Sequence, residues 1–292
     1  FVQGWKKTYC FKKMITSIDA KSTKSKDLYR YLSDAVTPRP IAFVSSIDKK
    51  GNKNLSPFSF FNVFSIDPPI LVFSPVKRTK DNTSKDTLEN VKDINECVIS
   101  LVTEEIAQQV SLASCEFDSN VNEFEKAGLT ELKSECISPP RVMESPINFE
   151  CKVTEIISLG TNGGAGNLVT CEVLKIHIDN RVLENDQTIN PFKLNIVSRY
   201  GKNWYGKTTK DSLYEIAKPI SKTGIGIDQL PNSIKESTIL TGSDLAILAS
   251  IEKIPEKKDF TLRDEHNTAE KHILAKAFLE KNETEKAWQI LL

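Results

Sequence analysis

The feature that most constrains this chain is a run of short β-patterned segments with no helix between them. Residues 41–47, Ile-Ala-Phe-Val-Ser-Ser-Ile, are β-branched and aromatic and follow Pro38 and Pro40. They end in Asp48-Lys-Lys-Gly51-Asn52, a turn composition. Residues 54–66 follow, closed by Asp67-Pro68-Pro69, and then the apolar stretch 70–73. A doubly wound parallel sheet needs a crossover helix between strands, and this run has none. A mainly β barrel with added helices is the expected architecture.

The next segments extend that reading. Residues 97–102 predict another strand. Asp86 with Glu89 has the D-x-x-E spacing of a capping box and starts a helix through Leu88, Val91 and Ile94. A second helix is expected over 104–113. Residues 114–146 are polar and proline-containing, with a short helical hint at 122–127. Ile147, Phe149, Cys151 and Val153 alternate with polar residues, as in a half-buried strand. Val169, Cys171 and Val173 alternate too, and then the phase shifts to Leu174, Ile176 and Ile178. A phase shift within one strand predicts a β-bulge, which barrels use to bend.

Residues 1–13 read as an upstream extension and 14–206 as the barrel domain. Residues 207–255 read as an extension packed on the barrel or on a dimer interface, and 256–292 as a helical tail. In the tail, Asn267 with Glu270 caps a helix carrying Ile273, Leu274, Phe278 and Leu279, which breaks at 282–284.

Charge and cysteine usage exclude several function classes. Lys and Arg number 39, as do Asp and Glu, so no net basic charge favours nucleic acid. The longest apolar runs are far too short to span a bilayer, so no membrane partner is expected. None of the six cysteines forms a CxxC, against a zinc ribbon or a thioredoxin-type site. Cys97, Cys151 and Cys171 lie in apolar stretches that suit packing thiols. The three histidines show no two-ligand helical spacing, so no metal site is expected. No secretory leader is evident, which points to a reduced, cytoplasmic setting.

Five constellations bear on chemistry, each with a plain structural alternative. Ser84-Lys85-Asp86-Thr87 opens the expected helix, where unpaired amides and the helix dipole favour an anion. Arg78 and Lys80 lie just upstream, so a phosphate cradle and an ordinary capped surface helix are both open. In residues 54–62, Asn54, Ser56, Ser59 and Asn62 alternate with Pro57, Phe58, Phe60 and Phe61. Such a stretch would wall a planar polar heterocycle, or simply pack a core. Arg39, stiffened between Pro38 and Pro40, would hold an anion or lie on the surface. His177 faces a pocket or is a satisfied structural histidine. The glycine-rich stretch 160–166 and Gly224-Ile-Gly226 do not complete GxGxxG. No GxxxxGK[ST] or GxSxG occurs either. Arg199-Tyr200 with Trp204-Tyr205 shapes a pocket, a dimer seam or a plain aromatic cluster.

Taken in order, these segments resemble the flavin reductase-like, FMN-binding split-barrel family, in its flavoprotein oxygenase-type subgroup. The resemblance rests on TPRPIAFVSSID (37–48), NLSPFSFFNVFSIDPPILVFSP (54–75) and KDTLENV (85–91). It continues through VNEFEKAGLT (121–130), PPRVMESPINFECKV (139–153), GNLVTCEVLKIHID (166–179), SRYGKNWY (198–205) and GIGIDQLPNSI (224–234). It covers roughly residues 15–255.

The resemblance implies a six-stranded Greek-key split barrel, a homodimer, and FMN held noncovalently near the subunit interface. It places Ser56, Pro57, Phe58, Ser59, Phe60 and Asn62 along the isoalloxazine and ribityl chain. Lys85, Asp86 and Thr87 fall on the phosphate motif, with Ser74 and Arg78 as neighbours. Arg39 matches the family's PRP element, and His177 a position approaching the flavin or partner chain. The implied activity is FMN-dependent oxidation–reduction with NADH or NADPH as donor and a small redox substrate or flavin as acceptor. A non-catalytic, flavoredoxin-like electron carrier is the alternative. No catalytic acid or base is expected, because the flavin carries the chemistry.

Overall fold

The computed structural model describes residues 15–216, 223–260 and 266–292. The expected extension over 1–13 lies outside the described residues. The chain divides into two compact units, one ending at Tyr214 and the other running from Glu215 to Leu292.

The first unit opens with helix α1 (Ser25–Ala35) and strand β1 (Ala42–Ile47), followed by β2 (Lys53–Phe58), β3 (Phe61–Ile66) and β4 (Pro69–Phe73). Helix α2 (Asp86–Ile94) leads into β5 (Glu96–Leu101), then the short helices α3 (Ala107–Leu112) and α4 (Glu123–Ala127). The small hairpin β6 (Glu131–Leu132) and β7 (Arg141–Val142) precedes the long strands β8 (Ile147–Ser158) and β9 (Asn167–Ile178). Helix α5 (Pro191–Leu194) and the hairpin β10 (Val197–Arg199) and β11 (Tyr205–Lys207) complete it.

Seven antiparallel strands make the main sheet, in the order β2-β1-β5-β8-β9-β4-β3. Its two edges, β2 and β3, are consecutive in the chain. Laid flat, seven strands would put those edges about 29 Å apart. The link through Ser59 and Phe60 reaches at most about 11 Å. The sheet must therefore curl until its edges approach, and the edges do not pair, which leaves the barrel split. The stretch 54–66, expected as one segment, is thus two strands on opposite edges. That division gives seven strands where the resemblance implied six.

Two cores flank the β1–β2 pair. Ala42, Val44, Phe58, Phe73, Ile99 and Val169 fill the barrel, plugged by Leu88 and Val91 of α2. Phe43 and Leu55 point the other way, against Val110 of α3, Phe124 of α4 and Val142. β1 is therefore buried on both faces, which explains the apolar run Ala42–Val44 that opens it. Each such Leu or Phe contributes roughly 1.5–3 kcal/mol by leaving water. Cys97, Cys151 and Cys171 are packing residues of the barrel interior.

Most local expectations have structural counterparts. Asp48 Oδ1 accepts from the amides of Lys50 and Asn52, both at 2.8 Å, and closes the β1–β2 turn. Gly51 in that turn has φ +84°, a conformation L side chains rarely adopt. The bulge falls where the phase shift placed it: Glu150 pairs with Lys175 and Cys151 with Val173, so Leu174 is the extra residue. The helix expected over 104–113 is shorter, beginning at Ala107.

The second unit holds α6 (Asn232–Lys235), α7 (Gly242–Ala249), α8 (Thr268–Glu280) and α9 (Thr284–Leu291). Asn267 and Glu270 form the expected capping box of α8. Leu230, Ile234 and Leu248 share one core with Ala275, Leu279 and Trp288. The stretches read as a separate extension and tail therefore pack into a single unit. Among the described residues no helix is long and apolar enough to cross a membrane.

Candidate functional site

The start of α2 carries the polar end of the site. Thr87, fully buried in the first turn, accepts a hydrogen bond from Asn54 Nδ2 of β2 at 2.7 Å. The expected capping box does not form. Lys85 stands at the N-cap position, no side chain caps the helix amides, and Asp86 instead accepts from Ser119 Oγ at 3.1 Å. These amides are orphan donors beside a positive dipole end.

Lys85 is half-buried, and among the described residues it forms no ion pair. Burial, then the nearby charge of Arg78, lowers its pKa from the ordinary lysine value, while Glu116, Asp86 and Glu123 pull the other way. Arg78 donates from Nη1 to the Ser84 carbonyl at 2.6 Å and to Thr83 Oγ1 at 3.0 Å. Its Nε reaches Glu116 at 3.2 Å, and Lys80 pairs with the same carboxylate. Glu123 is buried behind them and accepts from the Leu55 amide at 2.9 Å. Its pKa is raised, chiefly by burial. Ser56, also buried, has no protein partner for its hydroxyl among the described residues. A small polar hollow lies between Ser56, Arg78, Lys85 and Thr87.

An apolar cleft of about 560 Å³ adjoins this hollow, sharing Arg78 and Lys85 with it. Leu28, Tyr29 and Leu32 of α1 form one wall, Phe60 and Val76 the floor, and the β8–β9 hairpin the other side. The Tyr29 and Phe60 ring centroids are 6.3 Å apart. Beyond Phe60 the trough continues into a hollow of about 330 Å³ lined by Phe61, Asn62, Val72, Ser74 and Leu168. Ser74 likewise has no hydroxyl partner among the described residues. An anionic group thus meets cations at one end and a flat apolar body meets aromatic and aliphatic walls beyond it.

The structure gathers Ser56, Arg78, Lys85, Asp86 and Thr87 at the polar end, and Phe60, Asn62 and Ser74 along the trough. Other expected residues do not join them. Phe58 is buried in the barrel, its ring 5.2 Å from that of Phe73, and Pro57 is paired opposite Phe43 in the sheet. Ser59 accepts from Arg39 Nε at 3.4 Å. Arg39 is buried and its guanidinium is already used. Nη1 donates to the Ser33 carbonyl and, at 2.6 Å, to that of Val36, so it caps the C-terminal end of α1. Nη2 reaches the Tyr200 carbonyl at 3.2 Å. Arg39 is a strut between α1, the β2–β3 crossing and the β10–β11 hairpin, with no donor directed at the trough.

His177 is elsewhere. Nine residues past Leu168 on β9, it lies roughly 30 Å further along the strand. Its Nε2 sits 2.7 Å from Oε1 of Glu150, a fully buried carboxylate that also accepts from the amides of Glu135 and Cys136. The satisfied structural histidine is what the geometry shows. Arg199 lies over the Tyr205 ring at 4.6 Å and bonds the Trp204 and Lys202 carbonyls within the hairpin, and its backbone bridges to Arg39.

Sequence reasoning missed the α1 wall, the hairpin wall, Asn54 as the clamp on Thr87, and Glu116. The apolar residues 28, 29, 32 and 36 recur at helical spacing, a signal that marks α1.

Comparison with known proteins places this geometry. A family model described as flavin reductase like domain matches residues 34–195. A protein of Aquifex aeolicus is 38% identical over 187 residues, 64% of this chain and 93% of that protein. YwrF of Bacillus subtilis is 33% identical over 64% of this chain and 92% of its own length. Among solved structures, nitrilotriacetate monooxygenase component B from Bacillus cereus superposes with TM-score 0.65 at 30% identity, covering 69% of this chain and 98% of that one. The 2-nitrobenzoate 2-nitroreductase of Pseudomonas fluorescens superposes with TM-score 0.63 at 26% identity, covering 72% of this chain and all of that one.

Proposed function

The chain belongs to the flavin reductase-like family, and on that premise we propose that it is an FMN-binding oxidoreductase of the NAD(P)H-dependent flavin reductase or flavoprotein oxygenase type. One observation carries the reading. Lys85 is a half-buried cation that forms no ion pair among the described residues, at an uncapped helix start, at the head of an apolar trough. Holding such a cation out of water is unfavourable unless an anion completes the site.

The residues present fit FMN. Lys85, the α2 amides and the Ser56 hydroxyl would hold the phosphate. Thr87 would donate its own proton to it, since its oxygen already accepts from Asn54. Arg78 would stiffen the loop and add charge. Phe60, Tyr29, Leu28 and Val76 would cover the ring, with Ser74 and Asn62 as polar anchors. When bound, FMN supplies the redox chemistry by taking hydride from NADH or NADPH and passing electrons to a small acceptor. The protein's part is to bind, orient and exclude water, which requires no side-chain acid or base for hydride transfer.

A homodimer belongs to the same reading. Val63, Phe64 and Ile66 stand exposed on β3, an edge strand, where a second copy would cover them. Sedimentation of the purified protein at the mass of one chain would remove that part.

Stopped-flow mixing of the FMN-loaded protein with NADH and with NADPH tests the activity. Fast loss of the oxidised-flavin absorbance supports the enzyme. Reduction only by a protein donor would make the chain a carrier instead.

A further inference from the structure

The hairpin joining β8 to β9, Gly160-Thr-Asn-Gly163-Gly164-Ala-Gly166, resembles a nucleotide loop only in composition. Its packing shows a different use. The Lys77 amide donates to the Ala165 carbonyl at 2.9 Å, and the Gly164 amide donates back to the Lys77 carbonyl at 3.0 Å. The Asn167 amide reaches the Pro75 carbonyl at 3.1 Å, and Lys77 Nζ reaches the Thr161 carbonyl at 3.2 Å. The hairpin tip is thereby stitched along residues 75–77, just before the cationic loop.

The next two residues leave no room for a side chain on the hairpin. A Cβ on Gly163 would stand 2.9 Å from the Arg78 carbonyl oxygen and 3.0 Å from Thr79 Cα. Both are backbone atoms, so the peptide between residues 78 and 79 would have to move. That peptide is the hinge of the cradle. The Arg78 amide donates to the Thr83 carbonyl and its carbonyl accepts from the Asn82 amide, both at 2.9 Å. Its guanidinium then holds the carbonyl of Ser84, the residue before Lys85. A displacement at Gly163 passes through three bonded contacts to the lysine.

We infer that Gly163 is a positioning residue for phosphate recognition: its missing side chain lets the β8–β9 hairpin press on the Arg78–Thr79 peptide and set Lys85 in register with α2. The inference rests on the FMN reading above. It concerns the phosphate, because a side chain at Gly163, although that residue also lines the apolar cleft, would meet the Arg78–Thr79 peptide that leads to Lys85.

The test compares FMN with riboflavin, which has the same ring and no phosphate, in equilibrium titrations of the full chain. Gly163→Ala is expected to weaken FMN binding about tenfold or more, the scale of one charge-assisted hydrogen bond, and to leave riboflavin within about twofold. Gly242→Ala, where a Cβ meets nothing within 4 Å, is the control and is expected to change neither. Equal loss of both ligands, or an unchanged FMN affinity, overturns the inference. If Gly163→Ala fails to fold, Gly164→Ala replaces it. Gly164 has φ +92° and its Cβ would keep an ordinary 3.7 Å to Thr79, so that variant strains the tip without a backbone collision. It is expected to narrow the FMN preference in the same direction, and an unaltered preference overturns the inference. A wild-type protein that binds FMN and riboflavin equally would mark the failure of the phosphate reading itself, a different signature from either variant result.

Discussion

Asn54 on β2 and Thr87 in the first turn of α2 are joined by a buried 2.7 Å hydrogen bond, and it fixes the helix start against the edge of the barrel. Thirty-three residues separate them in the chain. Removing Asn54 leaves the buried Thr87 oxygen without the donor it has here. Asn54→Ala should cost about 1–3 kcal/mol of stability, the penalty of an orphaned buried polar group, readable by urea denaturation. FMN affinity should fall with it, because the helix amides lose their register. A variant as stable as the parent would show that Thr87 finds another partner.

Glu116 opposes anion binding. Its carboxylate pairs with both Arg78 and Lys80 and is itself held below the usual carboxylate range, first by its bond to Lys80. Glu116→Gln frees both cations, so FMN should bind severalfold tighter at low ionic strength, with the gain shrinking as salt rises. Weaker binding would assign Glu116 to holding the loop in shape.

Glu150 governs acid stability at the other end of β9. Burial alone would raise its pKa, but the Glu135 and Cys136 amides and His177 outweigh it and hold the carboxyl below its ordinary value. A folded-state pKa below the unfolded one gives stability that is present above the ordinary carboxyl range near pH 4 and is lost as pH falls through the lower folded value. Glu150→Gln should therefore destabilise the protein at neutral pH and flatten the acid limb of its stability profile. An acid limb unchanged in slope would place the sensitive carboxylate elsewhere.

The parts of this fold written locally could be read locally. Alternation over 147–153 and 169–178 marks β8 and β9, and the phase change at Leu174 marks the bulge to the residue. The Asn267–Glu270 box marks α8. The placing of Lys85 and Thr87 together at a helix start was likewise legible, since they are neighbours in the chain. What was not legible depends on contacts distant in sequence. No local pattern says that the chain leaves the sheet at Ser59 and Phe60 and re-enters on the opposite edge. Arg39 looks like an anion binder until the carbonyls of α1 and Tyr200 are brought to it. His177 shows its role only beside Glu150, 27 residues away. Gly163 comes within backbone distance of a second loop at Arg78 and Thr79, a contact no local pattern shows.

Titrating FMN into wild type and Lys85→Ala tests the role of Lys85 most directly. Lys85→Ala should weaken FMN by about 1.5–3 kcal/mol and leave riboflavin unchanged. With the wild type, FMN affinity should begin to fall at a pH below the ordinary lysine range, because Lys85 gives up its proton early. Equal FMN affinity in the two proteins, or a wild type that binds no FMN, would contradict the central claim.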